Sequence, residues 1–256
     1  MEIWHAIVFG LVEGISEFLP ISSTGHLILT ARLLGLPQTE FVKSFEIAIQ
    51  LGAILAVVVL YWRSLFLNRE MIGRVAVAFL PTAVIGFLLH TIVKQFLFES
   101  QNIVLWALLL GGIILVLFER FHQEKQLNSD IGSMISYRQA FLIGIAQSIA
   151  IIPGISRSAA TIIGGLFLGV HRRAIVDFSF LLAVPTMLAA TSLDLIKTGN
   201  QFSTQEFGIL GIGFVVSFFA ALLSIKWLLH FIKVHSFTVF GIYRILIAIV
   251  WWIFLT

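Results

Sequence analysis

The apolar positions of this chain gather into long blocks separated by short polar and basic stretches. A helix needs about 20 mostly apolar residues to cross the hydrocarbon core of a membrane. Six segments are read as such spans: 46–62, 75–93, 102–118, 177–195, 207–228 and 238–255. Two longer stretches, 3–36 and 139–170, are also apolar but are interrupted, the first by LPISSTGH and the second by IIPGISRSAAT. Proline and clustered hydroxyls break helices, so each stretch is expected to fold as two half-length helices, a re-entrant hairpin. Irregular backbone is tolerated at membrane depth only where protein buries it or it lines a wet cavity. Both interruptions are therefore candidate sites, and the predicted fold class is an all-α polytopic membrane protein with six transmembrane helices plus two re-entrant helical hairpins.

Composition strengthens this reading. Of 256 residues, 59% are hydrophobic and 11% charged, against about 25% charged in a soluble domain, and the mean hydropathy is +1.04. There is no cysteine, hence no disulfide, thiolate metal site or cysteine nucleophile. The opening residues, MEIWHAIVFGLVEG, lack the basic n-region and cleavage site of a secretory signal and are expected to be retained. The net charge of +3 belongs to loops beside the inner leaflet, and no nucleic-acid partner is expected. One set of alternate loops carries Arg63, Arg69, Arg74, Arg120, Lys125, Arg138, Arg172, Arg173, Lys226 and Lys233, and the other only Arg32, Lys43, Lys94 and Lys197. The positive-inside rule makes the first set cytoplasmic. The first hairpin then opens from outside, the second from inside, and both termini lie outside.

This arrangement predicts an inverted repeat within a single membrane domain, 1–118 forming one half and 139–256 the other. A shift of 134 places Gly10 on Gly144, Glu13 on Gln147, Ile15 on Ile149, Ile21 on Ile155 and Ser22 on Ser156, and a shift one shorter aligns residues 45–57 with 178–190. Inverted repeats place their site near the midplane, where half-helix ends meet.

The residues that carry chemistry cluster at the two breaks. Glu13 and Glu17 lie on one helix face with Gly10 and Gly14. They suit a divalent cation, Mg2+ or Ca2+, or an acid–base pair, since ionisable groups inside a membrane are costly and therefore functional by default; the bland alternative is solvation at an aqueous rim. Ser22, Ser23 and Thr24 open the next half-helix as N-caps or as a phosphate cradle at a positive dipole end. His26, three residues from Ser23, is placed to act as base or acid on a hydroxyl. In the second break Arg157, between Ser156 and Ser158 and followed by Thr161, has a fork that fits phosphate, or else pairs with Glu13 or Glu17. Gln147, the repeat mate of Glu13, is a candidate for the same cavity. Arg244 has no evident partner and reads as structural or snorkelling. Asp177, Asp194 and Glu46 read as solvated charges near helix ends. His90, His122, His171, His230 and His235 show no metal spacing, and Trp4, Trp251 and Trp252 read as interface belts. There is no P-loop, zinc signature or dinucleotide fingerprint.

EGISEFLPISSTGH together with PGISRSAAT resembles the bacterial undecaprenyl-diphosphate phosphatase family, often called the bacitracin-resistance protein, and the similarity extends to FEIAIQLGAILAVVV and DFSFLLAVPTM. The resemblance implies a cytoplasmic-membrane enzyme that removes the terminal phosphate of undecaprenyl diphosphate on the outer face, recycling the carrier for cell-wall synthesis. It maps the family's glutamate motif onto Glu13 and Glu17, its serine–histidine motif onto Ser22, Ser23, Thr24 and His26, and its arginine motif onto Ser156, Arg157, Ser158 and Thr161. Ala159 stands where relatives often have glycine and Asp177 where they often have glutamate. Combining both lines, Arg157, the helix N-termini and a cation near Glu13 and Glu17 clamp the diphosphate, and Ser23 attacks phosphorus while His26 or Glu17 handles protons; a water activated by His26 competes for the nucleophile's role. The polyprenyl tail lies between helices in lipid, and a homodimer is left open. The rivals are a transporter or flippase of a phosphorylated lipid or other anion and, further off, a structural scaffold.

Overall fold

The computed structural model describes residues 1–37, 39–92, 101–122, 135–198 and 204–255. Lys94 and Lys125 lie outside the described residues, as do the side chains of His90, Asp194 and Lys197. The described chain is all-helical: α1 (Ile3–Ser16), α2 (Ser23–Leu33), α3 (Glu40–Phe66), α4 (Arg69–Ile92), α5 (Gln101–Phe121), α6 (Tyr137–Ser148), α7 (Arg157–Phe167), α8 (Arg172–Thr198), α9 (Thr204–Phe231) and α10 (Thr238–Leu255), with a 3-10 turn at Ile149–Ile151. Five helices, within α3, α4, α5, α8 and α9, are long and apolar enough to cross a membrane. Large apolar side chains face outward in rows one helical turn apart, such as Ile3, Ile7, Leu11 and Ile15 on α1 and Val215, Phe219, Leu223 and Trp227 on α9. Water would not tolerate apolar faces of this extent. The chain is a multi-pass membrane protein.

Both predicted interruptions are present, and their backbones match. Among the described residues only Ser22 (φ 72°) and Ser156 (φ 77°) hold a positive φ without being glycine, and they are 134 positions apart. Each caps the helix that follows, Ser22 accepting from the Gly25 amide at 3.4 Å and Ser156 from the Ala159 amide at 3.2 Å. Both helices end on a left-handed glycine, Gly35 (φ 62°) and Gly169 (φ 77°). Each end is closed by a pair of reversed bonds, Leu36 N to Ala31 O with Gly35 N to Arg32 O, and Val170 N to Gly165 O with Gly169 N to Leu166 O, the Schellman arrangement that glycine makes accessible.

The half-helices pack crosswise. α1 lies on α9 and α6 on α4, while α3 contacts α8 and α5 contacts α10. Glycine permits the close approach: a Cβ at Gly10 would come 2.7 Å from the Gly213 carbonyl, and one at Gly144 would overlap the Ala78 carbonyl. The tip of the first hairpin is inside the protein, Phe18 meeting Phe180 edge to face at 5.3 Å between centroids in the core that also holds Ile21 and Ile162; in the second, Pro153, Gly154 and Ser156 are buried while Ile149 and Ile152 face outward.

Polar contacts fix which helix ends coincide. Arg172 at the start of α8 pairs with Glu119 near the end of α5. Asp177 accepts from Tyr61 near the end of α3, Arg173 reaches the Leu229 carbonyl near the end of α9, and Arg74 near the start of α4 lies over the ring of Tyr137 at the start of α6. The segments bearing the base-rich set therefore meet at one end, Lys125 apart. α1 starts beside the start of α9, at the groove formed by Trp4, Ile7, Ile209 and Ile212, which is the opposite end.

Three expectations are corrected. Asp177 is not simply solvated: it is held by Tyr61 and by Arg173 at 3.0 Å. Glu46 has its Oε1 shielded from solvent. Trp251 is buried rather than in an interface belt, because it packs among Leu29, Leu105 and Leu108. Gly144→Ala is expected to push α6 off α4 and cost about 1–3 kcal/mol, whereas Gly211→Ala on α9, with nothing within 4 Å of the added carbon, should be neutral or stabilising by up to about 1 kcal/mol; thermal unfolding in detergent compares them.

Candidate active site

The last turn of α1 and the break that follows it bring a carboxylate to a serine. The Glu17 amide donates to the Glu13 carbonyl at 2.9 Å, so the two glutamates are stacked one turn apart. Pro20 cannot continue a helix, and the chain reverses to start α2 at Ser23. Ser23 Oγ donates to Glu17 Oε2 at 2.5 Å, and both residues are buried. The other oxygen, Oε1, accepts from Arg157 Nε at 3.3 Å and Nη2 at 3.1 Å. Arg157 is in turn anchored by Nη1, which donates to the Ser179 carbonyl at 2.8 Å. Its guanidinium has five N–H groups; three are committed in this way, leaving one on each terminal nitrogen.

These groups line a cavity of about 120 Å³ together with Ser22, Thr24, Ser156, Pro153, Gly154, Ala150, Gln50 and Met187. The first turns of α2 and α7 both border it. The amides of Ser23, Thr24, Arg157 and Ser158, in those first turns, lie where a helix leaves N–H groups without intrahelical partners. Two positive helix ends and one guanidinium thus face a single small space, an arrangement that selects an anion.

The structure brings some of the residues expected from the sequence together at this cavity and places others away from it. Glu17, Ser22, Ser23, Thr24, Ser156 and Arg157 line the cavity. Ser158, Thr161 and Gln147 do not. Ser158 is fully buried and donates to the Leu19 carbonyl at 2.8 Å, tying the second break to the first. Thr161 donates to the Arg157 carbonyl at 2.8 Å. Gln147 donates to Thr82 at 2.9 Å and Thr186 at 3.2 Å, fastening α6 to α4 and α8. His26 also stands off the cavity lining. Its Nδ1 lies 2.7 Å from the Ser22 carbonyl, an acceptor, which fixes the proton on Nδ1, and Nε2 is then the acceptor of the Tyr243 hydroxyl at 2.7 Å. Ser23 has Glu17, not His26, as its side-chain partner.

Glu13 is fully buried, and neither of its carboxylate oxygens has a donor. Orphan hard oxygens beside the Glu17 carboxylate suit a divalent cation. No group of three His, Asp or Glu side chains with metal-site geometry occurs among the described residues, so such a cation would complete its shell with water or substrate oxygens.

Gln50 was missed, although its signal was present as a lone amide inside an apolar span. Met187 and the carbonyl of Ser179 left no readable signal. Arg244 is not snorkelling: it is 1% exposed because main-chain carbonyls surround it.

The fold and the cavity define a multi-pass helical membrane protein with an internal cavity lined by a carboxylate, serine hydroxyls and a guanidinium. The chain belongs to the bacitracin resistance protein BacA family, whose family model matches residues 6–250. It is 55% identical over 251 residues to an undecaprenyl-diphosphatase of Aquifex aeolicus, covering 98% of each chain. It is 49% identical to one from a Sulfurihydrogenibium species, covering 99% of each, and 48% identical to one from Wolinella succinogenes, covering 100% of this chain and 99% of that protein. Ser158→Ala, which removes the bond between the two breaks, is expected to lower stability by about 1 kcal/mol; detergent melts of the variant against the wild type check this.

Proposed function

We propose that this chain is a membrane phosphatase that hydrolyses undecaprenyl diphosphate to undecaprenyl phosphate and inorganic phosphate, returning the lipid carrier to cell-wall synthesis and conferring bacitracin resistance. The observation that carries the reading is the chain of contacts Ser23–Glu17–Arg157 at the wall of a phosphate-sized cavity between two helix N-termini. The full-length similarity to undecaprenyl-diphosphatases supports it.

In this account the terminal phosphate occupies the cavity, held by the two uncommitted N–H groups of Arg157 and by the amides opening α2 and α7. As Ser23 Oγ bonds to the outer phosphorus, its proton passes to Glu17 Oε2. The anhydride bond breaks, and undecaprenyl phosphate leaves with the bond electrons. Water then attacks the phosphoserine, Ser23 departs and regains the proton from Glu17, and phosphate is released. Positioning and charge stabilisation provide most of what phosphoryl transfer requires. A divalent cation held by Glu13 and Glu17 would supply further neutralisation of the diphosphate when bound. His26 acts through Ser22, whose carbonyl it holds, and Ser158, Thr161 and Gln147 position the second break. A transporter would have no use for a serine hydroxyl set on a carboxylate.

The same reading includes six spanning helices plus two re-entrant hairpins, with residues 1–118 and 139–256 as inverted halves. The matched backbones of the two breaks and the reciprocal packing of α1 on α9 and α6 on α4 support it, as does α10, whose 18 residues extend about 27 Å. The base-rich end is cytoplasmic in this scheme, the protein lies in the bacterial inner membrane, and the active site faces the periplasm.

Phosphate release from undecaprenyl diphosphate by detergent-purified protein tests the proposal. The wild type is expected to turn over, to stop with a chelator and to recover with Mg2+; Ser23→Ala and Glu17→Gln should each lose about a hundredfold or more. No release by folded protein, or near-normal turnover by Ser23→Ala, would overturn it.

A further inference from the structure

α10 carries a cation that the reaction just described does not use. Arg244 is 1% exposed in an apolar helix and has no carboxylate partner among the described residues. A guanidinium is rarely buried without a counter-charge, so what it touches is informative. Nη1 donates to the Ile155 carbonyl at 3.0 Å and the Pro20 carbonyl at 3.5 Å; Nη2 donates to the Gly154 carbonyl at 2.8 Å and the Ala107 carbonyl at 2.9 Å. One planar fork thus holds the break of the first hairpin, the break of the second, and α5.

Three of those carbonyls belong to the breaks that border the cavity. Gly154 lines it. Pro20 lies two residues before Ser22, and Ile155 directly precedes Ser156, the two serines held at positive φ. In a trans peptide the carbonyl and the following amide point in opposite directions. Drawing the Ile155 carbonyl onto the guanidinium therefore turns the Ser156 amide away from it. The surrounding helices are cut to admit the fork: a Cβ on Gly111 would overlap Nη2 and lie 2.8 Å from Cζ, and Gly112 and Gly241 bring α5 and α10 into backbone contact beside it. A helix-to-helix staple would need only α5 and α10; the reach to both breaks is extra.

We propose that Arg244 is a positioning residue for the reaction, fastening the two hairpin breaks so that α2 and α7 present their first turns to the same cavity. Its catalytic consequence rests on the phosphatase reading, but its structural half does not. Lysine in its place keeps the charge and loses the fork, and Gly111→Ala keeps Arg244 but displaces it.

The experiment combines two readouts on wild type, Arg244→Lys and Gly111→Ala in detergent. Amide hydrogen exchange reports the order of residues 18–25 and 152–160 against the rest of the chain. Inhibition of turnover by inorganic phosphate reports how well the cradle binds an anion, a quantity that a smaller folded fraction alone does not alter. Faster exchange confined to the two breaks, with phosphate inhibition weakened by about tenfold or more, is the expected result. Unchanged exchange at the breaks overturns the proposal, and so does faster exchange spread evenly over all helices with unchanged phosphate inhibition, the mark of a merely structural residue. If the wild type releases no phosphate, the phosphatase reading fails and exchange alone decides the role of Arg244.

Discussion

Backbone that leaves the helix inside a hydrocarbon layer finds no water for its amides and carbonyls, and this protein has two such breaks packed against its own helices. Each must be satisfied by the other or by neighbouring helices. The breaks are joined to each other by Ser158 on the Leu19 carbonyl and to α5 and α10 by the fork of Arg244. Serine caps satisfy one amide of each following helix. The first turns of those helices, where further amides lack intrahelical partners, border the cavity through Ser23, Thr24 and Arg157. The binding groups of the site are thus a by-product of breaking helices in a place where little else can satisfy them.

Charge follows the same logic. A glutamate and an arginine from opposite hairpins lie 3.1 Å apart with little exposure, each the condition for burying the other. The shared carboxylate also accepts from Ser23, so the pair that holds the hairpins together orients the hydroxyl. In the proposed reaction an arriving phosphate takes the two uncommitted N–H groups of Arg157 and leaves its anchor on the Ser179 carbonyl in place. Binding and activation are coupled in the proposed reaction through a single carboxylate, Glu17, while Glu13 one turn away is fully buried with neither oxygen hydrogen-bonded.

Much of this was legible in the sequence because it is written in residue types that have no other business at membrane depth. Proline with clustered hydroxyls marked both breaks, and the shift of 134 matched Ser22 to Ser156 before their shared backbone was seen. A partnership of Arg157 with Glu13 or Glu17 was one of two readings, and the structure selects Glu17. Other features were hidden for physical reasons. Proximity in sequence suggested His26 or Glu17 for the proton of Ser23; the hydroxyl meets Glu17, and the imidazole is held by the Ser22 carbonyl and by Tyr243 on α10, 217 residues away. Ser158, Thr161 and Gln147 shared the polarity of the site yet satisfy neighbouring backbone and side chains. Arg244 had no nameable partner because its partners are carbonyls, which every residue possesses and no pattern announces.

The central claim is that Ser23, set on the Glu17 carboxylate, is the group that takes the phosphate. Acid quenching of the enzyme during turnover of undecaprenyl diphosphate, followed by mass spectrometry of the peptide spanning the first break, tests it most directly. The account predicts a phosphorylated Ser23 that appears with substrate, decays with phosphate release and is absent from Glu17→Gln. A turning-over enzyme with no phosphate on Ser23 at any time, in which Ser23→Ala remains active, would contradict it.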